Sequence, residues 1–233
     1  MPGNLTILFE DNHLIAVNKS NHDLVQMDYT GDLALEDRLK IYIKKKYKKP
    51  GNVFLGVTHR LDRPVSGVVL FARTTKALTR INELFRNDKI QKTYWAIVKN
   101  KPGNDENILV HYLLRDARQN KTYCYEREMV NSKRAELRYR LVASSNNYYL
   151  LEIDLKTGRH HQIRAQLAAI GCPVKGDLKY GYSRSNPDGG ISLHARSLSF
   201  IHPVLKEEIH IVADPPGEEM LWNVFHNLQQ RCS

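Results

Sequence analysis

The stretch HRLDRPVSGVVLFAR, residues 59–73, places a charged turn directly in front of a continuous apolar run. That run has the length and composition of a fully buried strand. In the turn, Asp62 lies between Arg60 and Arg63. If the turn is extended, Arg60 and Asp62 point to one side and Leu61 to the other. The carboxylate is then either half of an ordinary surface charge pair or a group kept ionised for chemistry on a polyanion.

Periodic patterns on both sides of this stretch predict the fold class. The strand patterns cover residues 5–19 (a hairpin turning at Asp11-Asn12), 67–73, 91–98, 148–155 and 192–203. The helical patterns cover residues 33–47, 74–87, 157–171 and 217–229. Strands outnumber helices and often follow one another without regular βαβ alternation. The sequence therefore predicts an α+β fold with a mixed, mainly antiparallel β-sheet flanked by helices.

Whole-chain properties exclude several classes of protein. The 233 residues are 42% apolar, and no segment approaches the roughly 18 consecutive apolar residues of a membrane span. No signal peptide is evident at the N-terminus. Cys124, Cys172 and Cys232 are odd in number and widely spaced, which argues against a disulfide framework or zinc site and suits a reducing cytoplasm. The net charge of +10 favours a polyanionic partner, which is either nucleic acid or, as the weaker alternative, an anionic membrane.

The segment LKTGRHHQIRAQ, residues 155–166, joins a strand to a predicted helix. With Thr157 as the N-cap and Gly171 as the stop, the helix N-terminus would offer free N–H groups to an anion. Arg159 would lie near this turn, and Arg164 about one and a half turns into the helix.

The histidine pair His160-His161 in the same segment raises the alternative of a metal site. Adjacent residues diverge on a helix, and no acidic partner stands at ligand spacing. The sequence therefore predicts no metal. It also lacks the phosphate-loop, dinucleotide, serine-hydrolase and zinc-protease motifs.

The strand QKTYWAIVK, residues 91–99, carries two adjacent aromatic residues that must face opposite sides. Tyr94 shares a side with Lys92, and Trp95 faces the other way. An aromatic ring beside a cation can hold a splayed-out base, although a core position for Tyr94 is an equal alternative.

Four motifs in this order resemble the RluA-type family of pseudouridine synthases. They are HRLDRPVSG, KTYWAIV, LKTGRHHQIRAQLAAIGCPVKGDLKYG and LHARSLSFIHP, and the resemblance runs from about residue 5 to about residue 216. It implies one catalytic domain over residues 1–233, without a separate N-terminal RNA-binding domain. It also implies a cytoplasmic, monomeric isomerase that converts uridine in rRNA or tRNA to pseudouridine, without cofactor or metal.

The resemblance also implies roles for individual residues. Asp62 matches the catalytic aspartate, Tyr94 the active-site tyrosine that stacks on the base, and Arg164 the basic residue that pairs with the aspartate. Arg60 matches the arginine that fills the space left by a flipped nucleotide. The residues expected to contact RNA are His59, Arg60, Arg63, Lys92, Arg159 and His161.

Some alternatives stay open at this stage. Asp62 could act as a nucleophile at C1′ of the ribose or as a base at C2′. Val65 stands where the family usually has threonine, and residues 18–25 lack the usual proline and glycine. A catalytically inactive RNA-binding protein on the same fold is the main alternative. A glycosidase or nuclease is weaker, because glycoside hydrolysis usually needs two carboxylates.

Overall fold

The computed structural model describes residues 5–27, 31–217 and 220–230. The strands are, in chain order, β1 (Thr6–Glu10), β2 (Leu14–Lys19), β3 (Gly56–Val57), β4 (Ser66–Ala72), β5 (Gln91–Val98), β6 (Glu106–Asp116), β7 (Lys121–Tyr125), β8 (Lys133–Ser144), β9 (Tyr149–Leu155), β10 (Leu193–Ile201) and β11 (Glu208–Val212). The α-helices are α1 (Leu35–Lys46), α2 (Thr75–Arg86), α3 (Gln162–Ala169) and α4 (Met220–Gln230), and a 3-10 turn spans Leu178–Tyr180. The predicted α+β class with a mainly antiparallel sheet is confirmed.

Contacts between Cα atoms divide the chain into two compact units. Unit 1 comprises Met1–Ile90 and Arg196–Asp214, and unit 2 comprises Gln91–Ala195 and Pro215–Ser233. Strand β10 thus begins in unit 2 and ends in unit 1.

Unit 1 is built around β4, whose seven residues are all buried. The strand order is β1-β2-β4-β10, with β3 paired to β4 and β11 paired to β10. Helix α2 begins where Thr74 Oγ1 accepts a hydrogen bond from Ala77 N at 3.1 Å, and it buries Ala77 and Ile81. The core of unit 1 also includes four residues from the later segment Arg196–Asp214, namely Leu198, Phe200, Ile211 and Ala213.

Unit 2 is an antiparallel sheet in the order β5-β9-β8-β6-β7. One apolar cluster joins Trp95 of β5 to Trp222 and Phe225 of α4. Another joins Leu113 of β6 to Ala165 of α3. Trp222, at 2% exposure, is one of the largest fully buried side chains. The predicted closing helix is confirmed within residues 220–230.

Three helices end in the same Schellman geometry, in which the residue after the C-cap takes a left-handed conformation. That residue is Gly171 after α3, as predicted, with φ +74°. It is Asp88 after α2, with φ +50°, and Lys48 after α1, with φ +49°. A left-handed backbone costs a residue with a Cβ roughly 1–2 kcal/mol, so Lys48 and Asp88 stand where glycine would be less strained.

Helix α3 begins at Gln162, five residues later than predicted. Thr157 does not cap it, because its hydroxyl accepts a hydrogen bond from Glu136 N at 2.9 Å and donates one to Gln162 Oε1 at 2.8 Å. Arg159 N also donates to Gln162 Oε1, at 3.0 Å. The N-cap position is taken by His161, with φ +52° and no side-chain cap. Arg164 is therefore the third residue of the helix, not one and a half turns into it.

None of the helices in the described ranges combines the length and apolar character that a bilayer crossing requires.

Cys124 is a half-buried free thiol and Cys172 a buried one, and burial raises the pKa of both. Cys232 lies outside the described residues.

Candidate active site

The turn before β4 holds Asp62 in a half-buried position. Arg60 is exposed and Leu61 is only 9% exposed, which agrees with the predicted alternation. Val65 N donates a hydrogen bond to Asp62 O at 3.0 Å, which closes the turn immediately before β4 begins at Ser66. The fully buried strand therefore anchors the segment that carries Asp62.

Lys19 clamps this turn from the end of β2. Its ammonium donates hydrogen bonds to Ser20 O at 2.8 Å, Arg63 O at 2.9 Å and Val65 O at 2.7 Å. An ammonium has three N–H donors, so all of them are used. Burial lowers the pKa of Lys19 to about 7, and the carboxylates of Asp23 and Asp62 partly oppose that shift. This role of Lys19 was not predicted, although a lysine at the end of the apolar strand LIAVNK is a signal in the sequence.

The other residues of the turn have separate surroundings. His59 Nε2 accepts a hydrogen bond from Leu70 N at 3.1 Å, and the ring lies 5.1 Å from that of Phe85. Arg63 is exposed and pairs with Asp32 at 2.8 Å. A pocket of about 330 Å³ opens beside this segment, and its lining residues are Gln26, Glu36, Leu55, Val57, Thr58, His59 and Arg60.

Strand β5 presents its two aromatic residues to opposite sides, as predicted. Trp95 Nε1 donates to Glu152 Oε2 at 3.4 Å, and its ring packs in the cluster with Trp222. Tyr94 is half-buried and pairs in register with Ile153 of β9. Lys92, which was predicted to contact RNA, is 9% exposed.

Arg164 is held by a carboxylate that the sequence analysis did not assign. Its Nε and Nη2 atoms donate to Asp177 Oδ2 at 2.7 Å and Oδ1 at 2.9 Å. Both side chains are buried, at 6% and 1% exposure. The guanidinium carbon lies 5.0 Å from the ring centre of Tyr180, a cation–π distance. The orientation of the Arg164 guanidinium is thus determined by Asp177 and Tyr180.

Tyr180 connects this pair to strand β7 and to the histidines. Its hydroxyl accepts a hydrogen bond from Thr122 N at 2.8 Å and lies 2.9 Å from His161 Nδ1. Burial raises the pKa of Tyr180, against smaller opposing effects of Thr122 and Arg164. The two histidine rings do not diverge as predicted but stack at 3.8 Å, because both residues precede the helix and His161 is left-handed.

The remaining residues of this segment are placed as follows. His161 is 8% exposed, and Arg159 is exposed with its Nε donating to Arg134 O at 3.2 Å. In residues 5–27, 31–217 and 220–230, no group of three or more histidine, cysteine, aspartate or glutamate side chains is arranged to hold a metal ion. The structure thus brings His59, Arg60, Asp62 and Arg63 together in one turn, and Arg159, His161 and Arg164 in one loop and helix start.

Comparisons with known proteins agree with this arrangement. The family model described as RNA pseudouridylate synthase matches residues 13–169. Ribosomal large subunit pseudouridine synthase D of Zymomonas mobilis is 30% identical over 232 residues, which cover 93% of this chain and 71% of that protein. tRNA pseudouridine synthase C of Vibrio parahaemolyticus is 28% identical over 229 residues, which cover 89% of each.

A solved structure extends the likeness to the fold. Human RNA Pseudouridylate Synthase Domain Containing 4 has a TM-score of 0.78 and 25% identity, and the match covers 95% of this chain and 93% of that one. The chain belongs to the RluA-type family of RNA pseudouridine synthases.

Proposed function

We propose that this protein isomerises specific uridines in structured rRNA or tRNA to pseudouridine, with Asp62 as the catalytic carboxylate. The observation that carries the proposal is the clamped turn, in which Lys19 and the first residues of β4 hold Asp62 half-buried in the family's HRLD motif. Related proteins carry names that specify the ribosomal large subunit or tRNA, which supports both classes of RNA.

The reaction asks little of the protein beyond one carboxylate and tight positioning. The N1–C1′ glycosidic bond of uridine breaks, the uracil turns while it is held, and its C5 bonds to C1′ of the ribose. C5 then loses its proton and N1 gains one, so the product is an isomer of the substrate. Asp62 serves as nucleophile at C1′ or as base at C2′. A paired uridine must first leave the stack, at a cost of a few kcal/mol that is lowest in loops and bulges. No cofactor or metal is part of the proposal.

Two further residues complete the proposed catalytic group. Tyr94 stacks on the uracil, and Arg164 pairs with Asp62 and keeps it ionised. Arg164 suits this role because Asp177 and Tyr180 already fix its guanidinium. Arg60 fills the space left by the flipped nucleotide, and exposed Arg63 and Arg159 contact phosphates, with His59, Lys92 and His161 as the remaining RNA-binding residues.

The proposal also covers the organisation of the protein. Both units belong to one catalytic domain over residues 1–233, which works as a monomer in the cytoplasm. The net charge of +10 draws RNA to it, so binding should weaken as salt is raised.

The test is a map of pseudouridine in total RNA incubated with the protein, by carbodiimide-dependent primer stops. New sites with the wild-type protein, absent with Asp62→Asn and present with Asp105→Asn, would support the proposal. Asp105 is a matched control, because it is an exposed aspartate that pairs with Lys101 at 3.1 Å. RNA binding without any new site would favour the inactive binder. A change in RNA mass would favour a hydrolase, because isomerisation leaves the mass unchanged.

A further inference from the structure

The positive charge of the chain is concentrated in one segment. Residues 38–61 contain eight lysines and arginines and no aspartate or glutamate, against a net charge of +10 for the whole protein. Most of these basic residues lie C-terminal to the middle of α1. The segment ends at the turn that carries Asp62. Such a local excess is a stronger electrostatic feature than the same charge spread evenly over the surface.

The lysines at the end of α1 form an exposed tip. Lys44, Lys45, Lys48 and Lys49, here named the lysine tip, are all exposed. They form no ion pair with any carboxylate in the described part of the chain. Lys46, between them, pairs with Glu10 at 2.7 Å. Four of the five lysines therefore keep their charge available to a partner.

The tip is rigidly attached to the rest of unit 1. Glu10 at the end of β1 accepts hydrogen bonds from Tyr42 at 2.8 Å, Lys46 at 2.7 Å and Tyr47 at 2.8 Å. Arg73 lies 4.6 Å from the centre of the Tyr47 ring. Burial raises the pKa of Glu10, but these hydrogen bonds outweigh it and lower the pKa overall, so the anchor is charged at neutral pH.

The backbone of the tip holds its lysines in one arrangement. Lys49 N donates to Lys44 O at 3.1 Å, and Lys48 takes the left-handed position of this Schellman motif. Gly171 occupies the equivalent position after α3. Lysines also suit a helix C-terminus, but that effect fades beyond the last turn and does not explain Lys48 and Lys49. Asp88 and Lys206 take the same conformation, so the conformation orients the tip, and the exposed lysines without carboxylate partners are what point to a polyanion.

We propose that the lysine tip binds the phosphate backbone of the RNA substrate, outside the turn that carries Asp62. The inference rests on the proposed function for the identity of the polyanion. An anionic bilayer fits less well, because Leu35, Leu39 and Ile43 of α1 are buried. The helix and its C-cap then expose the single side chains Ile41 and Tyr47, not the continuous apolar face that enters lipid.

The decisive variant is Lys48→Gly, with Lys206→Gly as its control. Lys206 is also an exposed lysine with a left-handed backbone, at φ +65°, and it lies in the turn between β10 and β11. Both variants remove one charge and relieve the same backbone strain, so both should raise the melting temperature. RNA affinity is measured against salt concentration for each. The logarithm of the RNA-binding constant falls linearly with the logarithm of the salt concentration. Only Lys48→Gly should make this slope less steep, by about 0.7–0.9.

Two more variants sharpen the test. Lys48→Arg keeps the charge and should keep the wild-type slope. The variant in which Lys44, Lys45, Lys48 and Lys49 are changed together to Gln should have a slope that is less steep by about 2.8–3.6. Equal slopes for Lys48→Gly and Lys206→Gly would overturn the proposal. So would tighter binding of the wild type, relative to the fourfold variant, to phosphatidylserine vesicles alone.

The assays separate this proposal from the proposed function. If wild type forms no pseudouridine, the function fails, whatever the salt slopes are. If wild type forms pseudouridine and the fourfold variant has the same KM and the same salt slope, only the lysine tip fails. For the fourfold variant we expect a higher KM for RNA than that of the wild type, with kcat unchanged.

Discussion

Arg164 and Asp177 form a bidentate ion pair in which both side chains are almost wholly removed from solvent. The pair lies between α3 and the 3-10 turn, with the Tyr180 ring against the guanidinium. Removing one member of a buried pair leaves the other charge without compensation, which is far more costly than losing an exposed pair.

Asp177→Asn should therefore destabilise the protein strongly. We expect the free energy of unfolding to fall by about 3–5 kcal/mol, measured by urea denaturation. Arg164→Met/Asp177→Leu removes both charges and should be less destabilised than the sum of its single variants. Strict additivity would contradict a coupled pair.

Asp62→Asn should abolish isomerisation while leaving the fold and RNA affinity nearly intact. The change keeps the size of the side chain and removes its charge, and the hydrogen bond from Val65 N goes to the backbone of residue 62, not to its side chain. The measurements are pseudouridine yield on a transcript and RNA affinity, which should stay within a few-fold of wild type. Substantial residual turnover would exclude Asp62 as the catalytic group.

Tyr180→Phe should destabilise the protein even though it keeps the ring against Arg164. Thr122 is 3% exposed, and its N–H would lose its acceptor, at a cost of about 1–3 kcal/mol. Tyr123→Phe is the control, because that hydroxyl bonds Gln119 at an exposed position and should change stability by less than about 0.5 kcal/mol. Equal effects of the two changes on urea midpoints would argue against the buried network.

Lys19 should make stability depend on pH. Its pKa in the folded protein, about 7, lies below the ordinary 10.5, so between these values the unfolded chain binds more protons at this group. The free energy of unfolding then rises with pH, by at most about 1.4 kcal/mol per unit. In Lys19→Met this contribution is absent. The free energy of unfolding of the wild type should therefore increase relative to that of the variant between pH 7 and pH 9. A pH-independent gap would contradict the burial of the ammonium.

Elements with local signals could be predicted from the sequence, whereas those set by distant contacts could not. The apolar run of β4 and the Thr74 cap of α2 lie within the segments they define. The start of α3 depends on Thr157 bonding Glu136, a residue 21 positions away on β8. Strand β8 went unassigned although buried Ala135, Leu137 and Tyr139 alternate along it. Its outward arginines are stabilised by glutamates that only the folded sheet supplies, such as Glu106 and Glu152.

The same distinction holds for the candidate site. Asp62, Tyr94 and Arg164 lie in short sequence motifs that could be recognised without knowledge of the fold. Lys19 acts on carbonyls 44 and 46 residues away, and Asp177 on a guanidinium 13 residues away. Neither partner can be paired from spacing alone, because loop lengths do not specify which groups meet.

The return of the chain from unit 2 to unit 1 has a consequence for biosynthesis. Leu198, Phe200, Ile211 and Ala213 belong to the core of unit 1, yet they are translated after the segment Gln91–Ala195. At about 5–20 residues per second, the ribosome needs roughly 5–20 s to make that segment. Through this interval the apolar sides of β4 and α2 lack part of their cover. The unit that bears Asp62 can thus be completed only after the segment Gln91–Ala195 of unit 2 has been synthesised.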